Sequence, residues 1–161
     1  MTACLTVVGS LNMDLVIHAQ RIPRPGETII GTEFQEVPGG KGANQAVAAA
    51  RLGARVSMVG RVGRDTFGDA LLENLVSDGV DPAFVMRDSD AATGVALVVV
   101  DASGQNSIVV AARANQCLSL GDVEAAEAAI ADADVVLLQL ESPLETVTRA
   151  AEIAHVHGVV V

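Results

Sequence analysis

The chain alternates between short apolar runs and longer segments of helical character, and this alternation restricts its fold more than any other feature. Short continuous apolar runs predict buried strands, and the segments between them carry alanine or leucine at helical spacing. Strands that alternate with helices form a mostly parallel sheet with helices on both faces, so the predicted fold class is α/β. We predict strands at 5–9, 56–60, 84–86, 135–140 and 159–161, and helices at 45–52, 66–75, 120–131 and 144–157.

Two pairs of extended segments interrupt this alternation. Prolines and a glycine separate the members of the first pair, and a polar turn typical of a hairpin joins those of the second. Residues 95–100 are all apolar, although a strand with one face in water should alternate. Either this hairpin belongs to the core, or another subunit covers its second face. The predicted pairs are 15–19 with 28–37, and 94–100 with 107–111.

A glycine-rich run, Gly-Gly-Lys-Gly-Ala-Asn at 39–44, precedes the first predicted helix. Glycines let the backbone approach a ligand closely, and the first amides of a helix lack internal partners. Lys41 and Asn44 add a cation and an amide, so the run predicts a site for a small polar ligand such as a sugar. The alternative is a tight turn without a ligand. The run is neither a P-loop, because Gly42 follows Lys41, nor a G-x-G-x-x-G dinucleotide motif.

The order of motifs along the chain resembles the ribokinase family of sugar kinases, also called PfkB-type carbohydrate kinases. Asn12-Met13-Asp14 ends the first predicted strand, and the 39–44 run follows the paired strands. A Gly-x-x-Gly-x-Asp-x-x-Gly motif then occupies residues 60–68. The resemblance extends from Leu5 to the last residue. The run from Gly40 onward is more similar to the ribose-phosphorylating branch than to fructokinases or adenosine kinases.

This resemblance implies a ribokinase-like fold and ATP-dependent phosphorylation of D-ribose to D-ribose 5-phosphate. It implies a small β-sheet lid at about 15–37 and 94–111 that closes over the sugar. In many family members this lid packs against that of a second subunit, so we expect a homodimer. For the intact protein the resemblance also implies ATP, Mg²⁺ and a monovalent cation, K⁺.

The resemblance further assigns nine substrate-binding residues. Asn12 and Asp14 suit this role because ligands of open α/β sheets collect at the carboxyl ends of strands. Glu141 closes the apolar run 135–140 and could face the same crevice. Alternatively, Asp14 is a turn or capping carboxylate, and Glu141 faces solvent before Pro143. The nine residues are Asn12, Met13, Asp14, Gly40, Lys41, Gly42, Ala43, Asn44 and Glu141.

Two family motifs that serve phosphoryl transfer are missing from the sequence. A Gly-Ala-Gly-Asp segment would supply an anion hole and a general base, and an Asn-x-x-Glu motif would lie near metal and phosphates. We therefore expect residues 1–161 to be the N-terminal part of one ribokinase-like domain, truncated before its nucleotide-binding part. We assign no catalytic or metal-binding residue to this chain and expect it to be inactive alone. Arg113 also stands where the family usually has glycine.

Composition and charge limit the cellular location and the binding partners that we expect for the protein. The formal net charge is −10, with 20 acidic against 10 basic residues, which argues against nucleic acid or an anionic membrane as partner. No apolar run approaches the ~20 residues that span a bilayer, and the N-terminus lacks a secretory signal. We predict a cytoplasmic protein with reduced thiols, because Cys4 and Cys117 match no redox or metal spacing. With no Trp or Tyr and three Phe, the core must consist of small aliphatic residues.

Three hypotheses for function follow. The chain is the sugar-binding part of a kinase, for ribose or for another sugar such as fructose. Alternatively, it is a noncatalytic sugar-binding or dimerising module. A nucleotide-binding Rossmann domain is disfavoured, because no phosphate-binding glycine pattern follows the first strand.

Overall fold

The structure is a computed structural model that describes residues 2–161. It contains eight strands and five α-helices over this range, with a short 3₁₀ helix at Arg113–Cys117. The elements are, in chain order, β1 (Cys4–Val8), β2 (Asn12–Ala19), β3 (Gly31–Gly39), α1 (Lys41–Arg51), β4 (Arg55–Gly63), α2 (Thr66–Ser77), β5 (Val80–Asp88), β6 (Gly94–Val100), β7 (Asn106–Ala111), α3 (Leu120–Ala125), α4 (Glu127–Ala131), β8 (Val135–Leu138) and α5 (Leu144–Val156).

The main sheet consists of four parallel strands in the order β5-β4-β1-β8. Successive side chains of a strand point to opposite faces, and β1 illustrates the result. Val7 packs with residues of α1 and α2, whereas Val8 packs with residues of α3, α4 and α5. The sheet is thus buried between two helical layers, which confirms the predicted α/β class.

A second sheet, also of four strands and called the small sheet below, has the order β3-β2-β6-β7. Its two central strands are parallel, and each outer strand runs antiparallel to its neighbour. Asn12, the first residue of β2, pairs with Gly39 at the end of β3 and with Gly94 at the start of β6. The two extended pairs interrupting the helical alternation therefore form one sheet beside the main domain, as the family resemblance implied.

Several predicted boundaries were wrong. Asn12 and Asp14 open β2 instead of ending the first strand, and the first helix begins at Lys41. The predicted helix 120–131 is two short helices that meet at Ala126. No proline or glycine stands at this position, so no local signal indicated the break. The strand before Glu141 ends at Leu138, and a single parallel bridge from Val160 to Val135 replaces the predicted strand 159–161.

Side-chain caps mark the starts of α2 and α3. The Asp65 carboxylate accepts a hydrogen bond from the Gly68 amide and caps α2. Ser119 and Asp122 form a capping box at the start of α3. Among residues 2–161, no helix combines the length and apolar character required to cross a membrane.

Candidate functional site

A cavity lies between the small sheet and the start of α1. Its volume is about 140 Å³; because a water molecule takes up roughly 30 Å³ in the liquid, it matches about five waters or one small polyol. Polar side chains line one side and aliphatic side chains the other. The lining residues are Asn12, Asp14, Gly40, Lys41, Asn44, Ala96, Val98, Ile108, Val110 and Glu141.

Gly40 sets the entry to α1. Its φ of 93° is in the left-handed region that side chains rarely adopt. A Cβ added there would stand 2.7 Å from both the Asn12 nitrogen and the Ser10 carbonyl oxygen. Glycine therefore allows the helix to begin against the β1–β2 connection, with Lys41 and Asn44 beside Asn12.

Two of the first amides of α1, which were predicted to be available to a ligand, bond to carbonyl groups of the protein itself. The Ala43 amide donates to the Ser10 carbonyl at 3.0 Å, and the Asn44 amide donates to the Gly40 carbonyl at 2.9 Å. Gly42 and Ala43 lie on the buried face of α1 and do not line the cavity. Side chains, more than helix amides, therefore supply the polar groups of this cavity.

Met13 also lies away from the cavity. Its side chain is 3% exposed and belongs to the apolar cluster under α1 and α2. Asn12 and Asp14 flank it in β2 and point to the opposite face, because side chains alternate along a strand. Six of the nine predicted residues thus meet around the cavity, and Met13, Gly42 and Ala43 pack behind it.

Glu141 joins the site from the far end of the chain. Its carboxylate forms an ion pair with the Lys41 ammonium group and accepts a hydrogen bond from the Ser10 hydroxyl at 2.6 Å. Burial alone would raise the pKa of Glu141, but the hydrogen bonds from Lys41 and Ser10 outweigh it and lower the pKa. The carboxylate therefore stays ionised and fixed at the rim of the cavity.

Asp14 differs electrostatically from Glu141. Burial is the main reason that its pKa is raised, and the negative charge of Glu141 adds to the effect. The positive charge of Lys41 partly offsets both. Asp14 is half-buried at the cavity wall, where an ionised carboxylate only accepts hydrogen bonds. A ligand hydroxyl that donates to Asp14 would fit this environment.

The small sheet supplies an apolar wall that sequence reasoning did not identify. Ala96 and Val98 lie on β6, and Ile108 and Val110 lie two residues apart on β7. Ala96 pairs with both Asp14 and Val110, so all three side chains share the face toward the cavity. The sequence shows aliphatic residues two positions apart on each strand, which indicates that they share one face. It does not show the strand register that places this face beside Asp14.

Asn115 is a second residue that sequence reasoning missed. It lies in the 3₁₀ helix, is 2% exposed, and donates from its Nδ2 to the Asn12 Oδ1 at 2.8 Å. Two positions earlier, Arg113 stands where the family usually has glycine. Arg113 has a φ of 46°, the one positive φ of a non-glycine residue among residues 2–161. This conformation favours glycine, which is the residue expected there by the family resemblance.

A family model described as "pfkB family carbohydrate kinase" matches residues 3–161. The fold and the match show that the chain belongs to the pfkB family of carbohydrate kinases. The chain is 46% identical over 155 residues to a ribokinase of Bacillus subtilis strain 168. That match covers 96% of this chain and 53% of the relative.

Two solved structures share the fold. A ribokinase from Giardia lamblia superimposes with a TM-score of 0.88 at 34% identity, over 97% of this chain and 48% of that one. An Arabidopsis thaliana ribokinase complexed with ribose and ATP gives a TM-score of 0.83 at 36% identity, over 99% and 52%. The chain spans about half the length of the relatives it matches.

Proposed function

We propose that the whole protein transfers the γ-phosphate of ATP to D-ribose, forming D-ribose 5-phosphate, and that this chain supplies the sugar site and its lid. One observation carries the proposal. Asp14, Lys41, Asn44 and Glu141 come from three distant parts of the chain and line one cavity of monosaccharide size. Similarity to ribokinases, one of them complexed with ribose, favours a pentose as the occupant.

The chemistry of the cavity suits a sugar. Each hydroxyl both donates and accepts hydrogen bonds, so its site needs acceptors and donors close together. Asp14 and Glu141 accept, whereas Lys41 and the amide of Asn44 donate. The aliphatic wall of the small sheet would cover the apolar carbon face of the ring.

Phosphoryl transfer needs groups that this chain does not supply. We propose that the general base and the sites for ATP, Mg²⁺ and K⁺ belong to residues outside it, because Gly-Ala-Gly-Asp and Asn-x-x-Glu motifs are missing from residues 1–161. The chain alone should not phosphorylate ribose. ATP-dependent formation of ribose 5-phosphate by the purified 161-residue chain would contradict this.

We also propose that the small sheet is a lid that pairs with that of a second subunit. Ala96 and Val98 face the cavity, so Leu97 between them faces away from it. Leu97 is 55% exposed, and Val109, its partner on β7, is 67% exposed. Phe34 on β3 is 58% exposed, so apolar side chains on several strands remain in contact with water.

Analytical ultracentrifugation tests the pairing. Leu97→Glu should convert a dimer into monomers, because it places a charge in an apolar interface. Leu52→Glu is the matched control, since Leu52 is 89% exposed at the end of α1. A monomeric unsubstituted protein, or a Leu97→Glu variant that still dimerises, would contradict the proposal.

Calorimetric titration of the protein with ribose and fructose tests the sugar site. Asp14→Ala should weaken ribose binding by about 10- to 100-fold, because a charged hydrogen-bond partner contributes about 1.5–3 kcal/mol. Asp69→Asn is the control, because this exposed residue on α2 pairs with Arg87. Unchanged ribose affinity in Asp14→Ala would remove Asp14 from the site, and tighter fructose binding would favour another sugar kinase. Sugar binding by a full-length protein without kinase activity would indicate the noncatalytic module.

A further inference from the structure

Asn115 has its hydrogen-bonding groups engaged although it does not line the cavity. Its Oδ1 accepts from the Leu11 amide at 2.9 Å, and its Nδ2 donates to the Leu11 carbonyl at 2.9 Å. The same Nδ2 donates to the Asn12 side chain at 2.8 Å. These three bonds use both Nδ2 protons and one lone pair of Oδ1.

The backbone of Leu11 determines which way the Asn115 amide is turned. A backbone N–H can only donate and a carbonyl can only accept. If the Asn115 amide were reversed, its NH₂ group would face the Leu11 N–H, and its oxygen would face the Leu11 carbonyl. Both contacts would become repulsive, so Nδ2 must point toward the Leu11 carbonyl and Asn12.

This orientation in turn determines the orientation of Asn12. The second Nδ2 proton of Asn115 needs an acceptor, so the Asn12 atom facing it must be Oδ1. That contact lies over Gly94, where an added Cβ would stand 2.2 Å from Asn12 Oδ1 and 2.3 Å from Asn115 Nδ2. The other polar atom of the Asn12 amide, Nδ2, is then the one available to the cavity that Asn12 lines.

We propose that Asn115 is a positioning residue that holds Asn12 with its NH₂ group toward the sugar. This inference rests on the proposed sugar site. Asn12 and Asp14 lie two residues apart on one face of β2, so the strand presents a donor beside an acceptor. A hydroxyl that donates to Asp14 can accept from Asn12, whereas a reversed Asn12 amide would place two acceptors together. Asn115 thereby fixes the hydrogen-bonding pattern that the sugar must match.

Neutron diffraction from deuterated crystals of the sugar-free protein tests the orientation directly. Deuterons are expected on the Asn12 atom that faces the cavity and on the Asn115 atom that faces Asn12. Deuterons on the Asn12 atom that faces Asn115 would overturn the proposal. This measurement needs no variant and no bound sugar.

Substitutions test whether Asn115 acts through Asn12. In Asn115→Asp the side chain can still accept from the Leu11 amide but cannot donate, so Asn12 should turn its NH₂ group away from the sugar. We expect ribose affinity to fall about 10-fold in the unsubstituted background. In an Asn12→Ala background the same change should alter affinity by less than about 2-fold, because the group that it positions is absent.

A purely structural role for Asn115 gives a different result. Loss of affinity through general disturbance of the site would be of similar size in both backgrounds, and that outcome would overturn the proposal. Should Asn115→Asp not fold, Asn115→Ala replaces it in the same pair of backgrounds, and the neutron result stands without either. If the unsubstituted protein binds no ribose, the proposed function fails, while the neutron map still decides the orientation of Asn12.

Discussion

Asp65 ties Thr93, the residue before β6, to the start of α2, and its removal should cost more than the loss of an ordinary helix cap. Its carboxylate accepts from the Gly68 amide at 2.8 Å, from the Thr93 amide at 2.8 Å and from the Thr93 hydroxyl at 2.6 Å. Thr93 is fully buried and directly precedes β6. Asp65→Ala therefore removes a cap and leaves buried donors without a partner.

The magnitude follows from these contacts. Loss of an N-cap costs about 1 kcal/mol, and a buried donor left unsatisfied costs about 1–3 kcal/mol. We expect Asp65→Ala to lower the free energy of unfolding by about 2–4 kcal/mol. That is a large part of the roughly 5–15 kcal/mol typical of a domain.

Ser119→Ala provides the matched control. Ser119 caps α3 through the Asp122 amide, but it is exposed and holds no strand of the small sheet. Its loss should cost about 1 kcal/mol. Urea unfolding of both variants, followed by circular dichroism, measures the difference. An Asp65→Ala cost no greater than that of Ser119→Ala would refute the role assigned to the Thr93 contacts.

The same carboxylate predicts a dependence on pH. Burial alone would raise the pKa of Asp65, but the hydrogen bonds from Thr93 and Gly68 outweigh it and lower the pKa below its ordinary value. A carboxyl group with a lower pKa in the folded state stabilises the protein above its unfolded-state pKa. This stabilisation is lost as the pH falls from that value through the folded-state pKa. The difference between Asp65→Ala and the unsubstituted protein should therefore shrink in acid.

Three further predictions concern the entry to the small sheet and the cavity. Gly94→Ala should cost about 1–3 kcal/mol of unfolding free energy, because its Cβ would overlap Asn12 and Asn115; Gly121→Ala, with its nearest neighbouring atom 3.8 Å away, should not destabilise in the same urea titration. Arg113→Gly should raise the unfolding free energy by up to about 1 kcal/mol, because φ is 46° there; an equal gain in Arg113→Ala would exclude backbone strain as the cause. Ribose affinity measured by calorimetry should fall as the pH drops through the raised pKa of Asp14, since its protonated carboxyl accepts less well; the same pH dependence in Asp14→Asn would contradict this.

Local sequence pattern predicted the elements that depend on neighbouring residues. The predicted apolar strand before Gly9 is a buried strand with Val7 and Val8 on opposite faces. The predicted ends of helices and strands were less accurate where contacts with residues far along the chain determine them. Strand β2 begins at Asn12 because that residue pairs with Gly39 and Gly94, which the sequence does not reveal.

The site was partly predictable for the same reason. Asp14, Lys41 and Asn44 stand in short motifs with recognisable chemistry, and the structure brings them to one cavity with Glu141. Asn115 carries no motif chemistry of its own. Its importance comes from bonds to Leu11 and Asn12, 104 and 103 positions earlier in the chain.

Apolar periodicity and short motifs were enough to predict the alternation of strands and helices, the two helical layers and the polar residues available for a ligand. How those residues act depends on contacts that form only in the folded protein. Glu141 is held ionised by Lys41, 100 residues away, and the amide of Asn12 is oriented by Asn115. Periodicity acts over a few residues, whereas hydrogen-bond polarity and carboxyl pKa depend on groups that only folding brings together.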